Sequence, residues 1–352
     1  MNILIVNTEK TWRGGERQTL LTIKGLLNEN INVSLITLKN SPLYQKVRNL
    51  KIKLYEAKSS FHALYLISSL ASYHDLIHAQ TGKSHTQIIL TKLFHRKPVI
   101  YTRRVDFVPK GFFTRIKYKL TNTVISISPE ISNILEKQSL YKNSIVISSA
   151  IEKYAPNCDR AKMLKKRFCN ENEKIVGIVA AFEEHKDPFT SLQVAKELQS
   201  RGNKYVFLHF GDGVLFSDFQ IKLKEINLTK NYFCLGHQEN VEDFFHIMDV
   251  FIMTSKEEGL GSSVFDAFRN NIPVVSTNAG GLRSLLKDRG ISCDVGDYKC
   301  LADGVERVIK KKKEIEKYIK AAKEYADNEL SVQKMVKKYI KEYDKLINNA
   351  KN

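Results

Sequence analysis

Acidic residues are the scarce charge in this chain: 38 Asp and Glu stand against 56 Lys and Arg in 352 residues, a formal net charge of +18. The imbalance favours an anionic partner: nucleic acid, anionic lipid or a phosphorylated small molecule. Cysteine is also sparse. Cys158, Cys169, Cys234, Cys293 and Cys300 are an odd number, with no C-x-x-C pair and no histidine at metal-site spacing, which argues against zinc and for a reducing compartment. No apolar run approaches the roughly 20 residues that span a bilayer. The opening "MNILIVNTEK" has no basic leader or small-residue cleavage site, so the mature chain is expected to begin at Met1 and stay in the cytoplasm. The glycine pair after the first strand lacks G-x-G-x-x-G spacing, and no acid ends the second strand at Leu38; a dinucleotide fingerprint is missing. No D-x-D-type motif closes a strand, so no required metal ion is expected.

What is present is a globular composition, 43% hydrophobic and 27% charged, in a chain long enough for two cores. Short apolar runs alternate with helical periods: "NILIVNT", "NVSLITL", "DLIHAQ", "KPVIYT" and "NTVISIS" in the first half. The pattern restarts with "EKIVGIVAAF", "KYVFLHFGDG", "NYFCLGH", "DVFIMTS" and "PVVSTNAGG". Such alternation predicts two doubly wound α/β domains with parallel sheets, divided as 1–155 and 156–328. The join falls where "SSAIEKYAPNCDRA" loses periodicity at Pro156. Residues 329–352 form a last helix with an apolar stripe, Val332, Met335, Val336, Tyr339, Ile340 and Tyr343, that needs a surface to cover.

In open α/β sheets ligands sit beyond the carboxyl ends of the strands, so the turns there are the candidates. Gly14 and Gly15 read as a sharp turn before a helix N-terminus, which suits a phosphate but is also an ordinary turn. Lys186, beside Asp187 as N-cap and Pro188 at the first helical position, either neutralises a leaving diphosphate or is a solvated loop lysine. Gly211 in "GDG" permits close backbone approach or is simply a turn. The most informative stretch is "SKEEGLGSSVFDAF": Gly261 frees the backbone and Ser262 and Ser263 open a helix whose first amides suit a diphosphate. Glu258 is placed to accept from sugar hydroxyls and Asp266 from a ribose, or the two are a loop acid and a helix-dipole acid.

These turns together resemble the retaining nucleotide-sugar glycosyltransferases of family 4. The segment "LGHQENVEDFFHIMDVFIMTSKEEGLGSSVFDAF" carries most of the likeness, with "GGER" and "NIPVVSTNAGG" in support. The resemblance implies a GT-B fold, two Rossmann-like domains facing across a cleft, with the C-terminal helix crossing back to the N-terminal domain. It implies sugar transfer from a nucleotide-diphosphate donor to a glycan or lipid-linked acceptor, in lipopolysaccharide or other surface-glycan synthesis, without a metal. Carried onto this sequence, Glu258 would contact the transferred sugar, Asp266 the ribose, and Leu260, Gly261, Ser262 and Ser263 the diphosphate. Lys186 would balance the leaving phosphates, Gly15 would lie under them, and Gly280 and Gly281 would pass near the nucleotide.

Three positions depart from the family pattern. The second acid is Asp266 instead of Glu, Ala181 stands where an arginine is usual, and "RRVDF" replaces a histidine after "VIYT". Arg103, Arg104 or Asp106 would then take over part of that site. Other readings are a nucleotide-sugar epimerase or hydrolase on the same fold, or a catalytically silent glycosyltransferase partner. Nucleic-acid binding is disfavoured because no recognised module is present. From Lys92 to Lys119 nine Lys or Arg face the single acid Asp106. Residues 103–120 therefore either rest on an anionic membrane at the inner face, or bury Phe112, Phe113, Ile116 and Leu120 as an ordinary helix face.

Overall fold

Residues 3–6 are apolar without interruption, and a strand of that kind is stable only when both its faces are covered. In the computed structural model, which describes residues 1–152, 154, 157–202, 204–238 and 241–350, this run is β1 (Asn2–Asn7) at the centre of a parallel sheet. With it are β2 (Asn32–Leu38), β3 (Lys53–Ala57), β4 (Leu76–Ala79), β5 (Val99–Arg103), β6 (Thr123–Ser126) and β7 (Ile145–Val146), ordered β3-β2-β1-β4-β5-β6-β7. Ile3 is opposite Val33 on one side and Leu76 on the other.

One face of this sheet is covered by helices Gly14–Asn28 and Val332–Asn349, which bury Ile23, Leu26, Met335, Val336 and Tyr339 against Ile3, Ile5 and Leu35. Gly25 permits their close approach: a Cβ there would lie 2.5 Å from Cγ2 of Val336. The stripe on the last helix thus covers the first sheet, and the compact unit comprises residues 1–152 with 329–352. Helices Ser60–Leu70, Gly82–Leu90 and Phe112–Lys119 cover the opposite face, over Leu4, Val6, Ile77 and Val99.

The second unit, residues 153–328, repeats the plan with β8 (Lys174–Val179), β9 (Tyr205–Phe210), β10 (Tyr232–Cys234), β11 (Val250–Met253), β12 (Val274–Thr277) and β13 (Ile291–Cys293). Their order is β10-β9-β8-β11-β12-β13. Its core joins Val176, Ile178, Val250 and Ile252 to Leu192, Phe219 and Val305 from the covering helices. Both sheets reverse direction of strand addition at their first strand, between β1 and β4 and between β8 and β11, which is where open α/β sheets bind ligands.

Several expectations change. Gly14 and Gly15 are the first two residues of a helix, and neither has a positive φ; the chain turns before them. Cys293 and Cys300 are joined in a disulfide, a pairing that an odd cysteine count does not anticipate, while Cys158, Cys169 and Cys234 are free. Phe112, Phe113 and Leu120 are exposed, and of the Phe112–Lys119 helix only Tyr118 is buried. Asp187 occupies the N-cap position with φ +46, but its Oδ2 accepts from the Thr190 hydroxyl at 2.7 Å and no backbone amide. The expected join between 155 and 156, with Pro156, lies outside the described residues. Among the described residues no helix is long and apolar enough to cross a membrane.

Buried histidines give the fold a pH dependence. His78 shares 2.7 Å contacts with the Tyr343 hydroxyl and the Thr102 Oγ1, and burial, aided by the Arg104 charge, lowers its pKa from 6.5 to about 3. Burial also lowers His85, near Lys117 and Arg103, and His209 to about 3. A lowered folded pKa means that the unfolded chain binds more protons. The contribution of these rings is therefore complete above about pH 6.5 and is lost progressively towards pH 3, at about 1.4 kcal/mol per pH unit for each ring. Urea midpoints should be level above about pH 7 and fall steadily below about pH 6. A level profile down to about pH 5 would contradict burial of neutral rings.

Candidate active site

At the switch point of the second sheet, two loops are sewn together by backbone groups. The turn after β8 ends in the short 3-10 segment Glu184–Lys186. The His185 carbonyl accepts from the amides of Lys256 and Glu257 at 2.9 and 3.1 Å. The Thr254 hydroxyl, just past β11, reaches the Lys186 and Asp187 carbonyls at 3.2 and 2.9 Å. This stitching brings Lys186 against Glu258, 72 residues later, as a short, mostly buried ion pair between Nζ and Oε2.

The other carboxylate oxygen, Glu258 Oε1, accepts from the Gly261 amide at 3.1 Å, and the Glu258 carbonyl accepts from the Gly281 amide at 2.9 Å. Gly261 has φ +72 and precedes the helix Ser262–Arg269, which has no side-chain cap. Its first amides, at Ser262 and Ser263, have no carbonyl one turn earlier to bond. The Ser263 hydroxyl instead anchors the helix to the Val179 carbonyl at 2.9 Å. Leu260 is buried, Asp266 is buried within the same helix, and Gly280 has φ +48. Glycine is needed at 281 because a Cβ there would strike the Gly259 carbonyl. One lysine, one glutamate and a helix N-terminus thus converge from the loops that follow β8 and β11, and the Gly281 amide, in the loop after β12, holds the Glu258 carbonyl.

Gly211 stands where the backbone accepts only glycine. Its φ is +147 and a Cβ would enter the Ala180 carbonyl, while its amide donates to the Gly236 carbonyl at 2.9 Å. It packs the ends of β8 and β9 together.

The first unit has a polar rim of its own. Asn7 Nδ2 donates to Thr19 Oγ1 at 2.9 Å, the Thr8 hydroxyl to Gln87 Oε1 at 2.7 Å, and Lys83 Nζ to the Thr8 carbonyl at 3.0 Å. Glu16, whose pKa burial raises, accepts from the Arg13 amide at 3.0 Å and so caps its own helix. The Cβ position of Gly15 faces open space.

Arg103 and Arg104 are both used internally. Arg103 is 2% exposed; Nη1 donates to the Tyr118 hydroxyl at 2.9 Å and Nη2 to the Phe107 carbonyl. Arg104 grips Gln80 through the carbonyl at 2.6 Å and Oε1 at 2.7 Å. In both, Nε is buried without a partner. Thr254, the His185 carbonyl and Gln80 escape sequence reading, because each acts through a partner with no local signature. Glu16 has one: a glutamate three residues after an N-cap.

Two doubly wound units with these strand orders are the architecture of the GT-B fold. Residues 159–325 match the model described as glycosyl transferases group 1. The chain is 24% identical over 196 residues to N-acetyl-alpha-D-glucosaminyl L-malate synthase of Bacillus anthracis, covering 55% of this chain and 51% of that protein. It is 23% identical over 331 residues, 84% of each chain, to UDP-Gal:alpha-D-GlcNAc-diphosphoundecaprenol alpha-1,3-galactosyltransferase of Escherichia coli. The chain thus spans about half the length of the first relative and most of the second. In fold it is similar to the Anabaena protein Alr3699/HepE, solved with UDP and glucose, with TM-score 0.84 and 16% identity over 98% of this chain and 99% of that one.

Proposed function

We propose that this protein is a retaining glycosyltransferase of the family 4 type, moving a sugar from a nucleotide diphosphate to a hydroxyl of a glycan or lipid-linked acceptor in bacterial surface-glycan synthesis. The observation that carries the reading is the Lys186–Glu258 pair set beside the helix N-terminus at Gly261. A diphosphate entering here would draw Lys186 towards itself, and the Ser262 and Ser263 amides would bind its oxygens. That frees Glu258 to accept from the sugar hydroxyls, while Asp266 accepts from the ribose. As the bond between the anomeric carbon and phosphate oxygen breaks, the electron pair stays with the diphosphate. The acceptor oxygen attacks from the same face and passes its proton to the departing phosphate. No protein nucleophile and no metal is required, because Lys186 and the helix amides carry the developing charge. A lipid-linked acceptor is supported by the Escherichia coli relative, whose name specifies a diphosphoundecaprenol-linked substrate; a uridine donor is supported by the UDP bound to the Anabaena protein.

Nucleotide binding tests the site. At a concentration roughly a hundred times Kd, one of UDP, GDP or ADP should raise Tm by a few degrees. Asp266→Ala should at least halve that rise, measured from the variant's own unliganded Tm. Equal rises in parent and variant would remove Asp266 from the site.

A further inference from the structure

Helices on a sheet turn their apolar residues inward, and the Phe112–Lys119 helix does the reverse. Only Tyr118 reaches the core, while Phe112 is 80% exposed and Phe113 lies beside it at the surface. The preceding loop exposes Phe107, at 59%, and Val108. Gly111, at φ +96, turns the chain between this loop and the helix, with nothing near its Cβ position. The loop is not loose: Arg103 ties the Phe107 carbonyl to the Tyr118 hydroxyl, and its guanidinium lies 5.2 Å from the Phe107 ring. Arg103 thus acts as a brace that holds the loop and the helix to the end of β5.

A second exposed apolar pair lies in the same helical layer. Leu93 and Phe94, in the short helix Lys92–His95, are 88% and 77% exposed. That helix is joined to the end of the Phe112–Lys119 helix by Lys92 Nζ, which donates to Asn122 Oδ1 at 3.0 Å. The segment that carries both pairs is basic: Arg96, Lys110, Arg115 and Lys119 are exposed, and Asp106 is the sole acid from Lys92 to Lys119.

We infer that this face, with Phe107, Phe112 and Phe113 at one end and Leu93 and Phe94 at the other, docks on an anionic lipid bilayer. Apolar side chains projecting from a cationic surface match the headgroup boundary, where rings enter the acyl region and Lys and Arg meet lipid phosphates. A second copy of the chain is disfavoured, since it would set basic face against basic face. Single-stranded nucleic acid is disfavoured because the sequence carries no recognised nucleic-acid-binding module.

The test is flotation of the purified full-length protein with vesicles of phosphatidylcholine alone or with about one third phosphatidylglycerol. Partition into the anionic vesicles should be at least about tenfold greater, and should weaken as salt rises from about 0.1 M to about 0.5 M. Phe112→Ser with Phe113→Ser, and separately Leu93→Ser with Phe94→Ser, should each lower it about fivefold or more. Lys110→Glu with Arg115→Glu should bring it to the level seen with phosphatidylcholine. These residues are exposed, so an unchanged Tm confirms that each variant is folded. Equal partition into both vesicles, or partition untouched by both apolar double variants, overturns the proposal. So does binding of a single-stranded oligonucleotide, or a dimer lost in the Phe112/Phe113 variant, when anionic vesicles are not bound.

Discussion

Lys186→Ala lowers kcat/KM for sugar transfer by about 10² to 10³, the loss usual when one pre-positioned charge stabiliser is removed from a transition state. The loss falls mainly on kcat, because the diphosphate gains its full charge only as the glycosidic bond breaks. The loop of Lys186 is held by backbone bonds and not by the lysine side chain: Thr254 fixes the Lys186 carbonyl and the Lys256 and Glu257 amides fix that of His185. Truncation therefore leaves the loop in place. Glu258→Gln gives a loss of similar size by another route, since the amide still meets Gly261 but no longer pairs with Lys186. The double variant should cost less than the product of the single losses, because the two side chains share one ion pair. Steady-state kinetics of the four proteins with a single donor checks this; multiplicative losses would show that the residues act independently.

Gly211→Ala destabilises the fold by about 3 kcal/mol, combining a left-handed backbone position with overpacking. The collision is with the Ala180 carbonyl, and Gly213 has a similar one, its Cβ position lying 2.5 Å from the Phe182 carbonyl. Neither neighbour can yield, because both are main chain at the end of β8. Gly15→Ala is the contrast. Its Cβ faces open space in the first turn of a helix, so stability should stay level or rise by about 0.5 kcal/mol. If activity nevertheless falls, the glycine is there for a substrate. Urea denaturation separates the two cases, and a Gly211→Ala protein as stable as the parent would contradict the packing described for the ends of β8 and β9.

The strands were legible where burial on both faces leaves an uninterrupted apolar run, and "NVSLITL" coincides with β2 to the residue. At the edges the signal fades. β3 reads Lys-Leu-Tyr-Glu-Ala with only its last residue buried, and β7 has two residues; neither stands out from a loop. In the second unit, "SKEEGLGSSVFDAF" marked the loop and helix correctly because glycine before a run of small and apolar residues is a local signal. The partner of Glu258 was not local: it depends on β8 and β11 lying side by side. Arg103 and Arg104 show the same limit from the other direction. Two arginines at a strand end look like free cations, and only the positions of Tyr118 and Gln80, 15 and 24 residues away, reveal that their guanidinium groups are used within the fold.

The central claim is that the Lys186–Glu258 site transfers a sugar and does not release it to water. The most direct measurement is release of nucleoside diphosphate from a panel of nucleotide sugars, with and without a lipid-linked glycan extract, followed by NMR of the anomeric carbon in the product. Release should depend on the acceptor, the product should keep the donor's anomeric configuration, and both should be lost in Lys186→Ala. Release at the same rate without acceptor, or a product of inverted configuration, would contradict it.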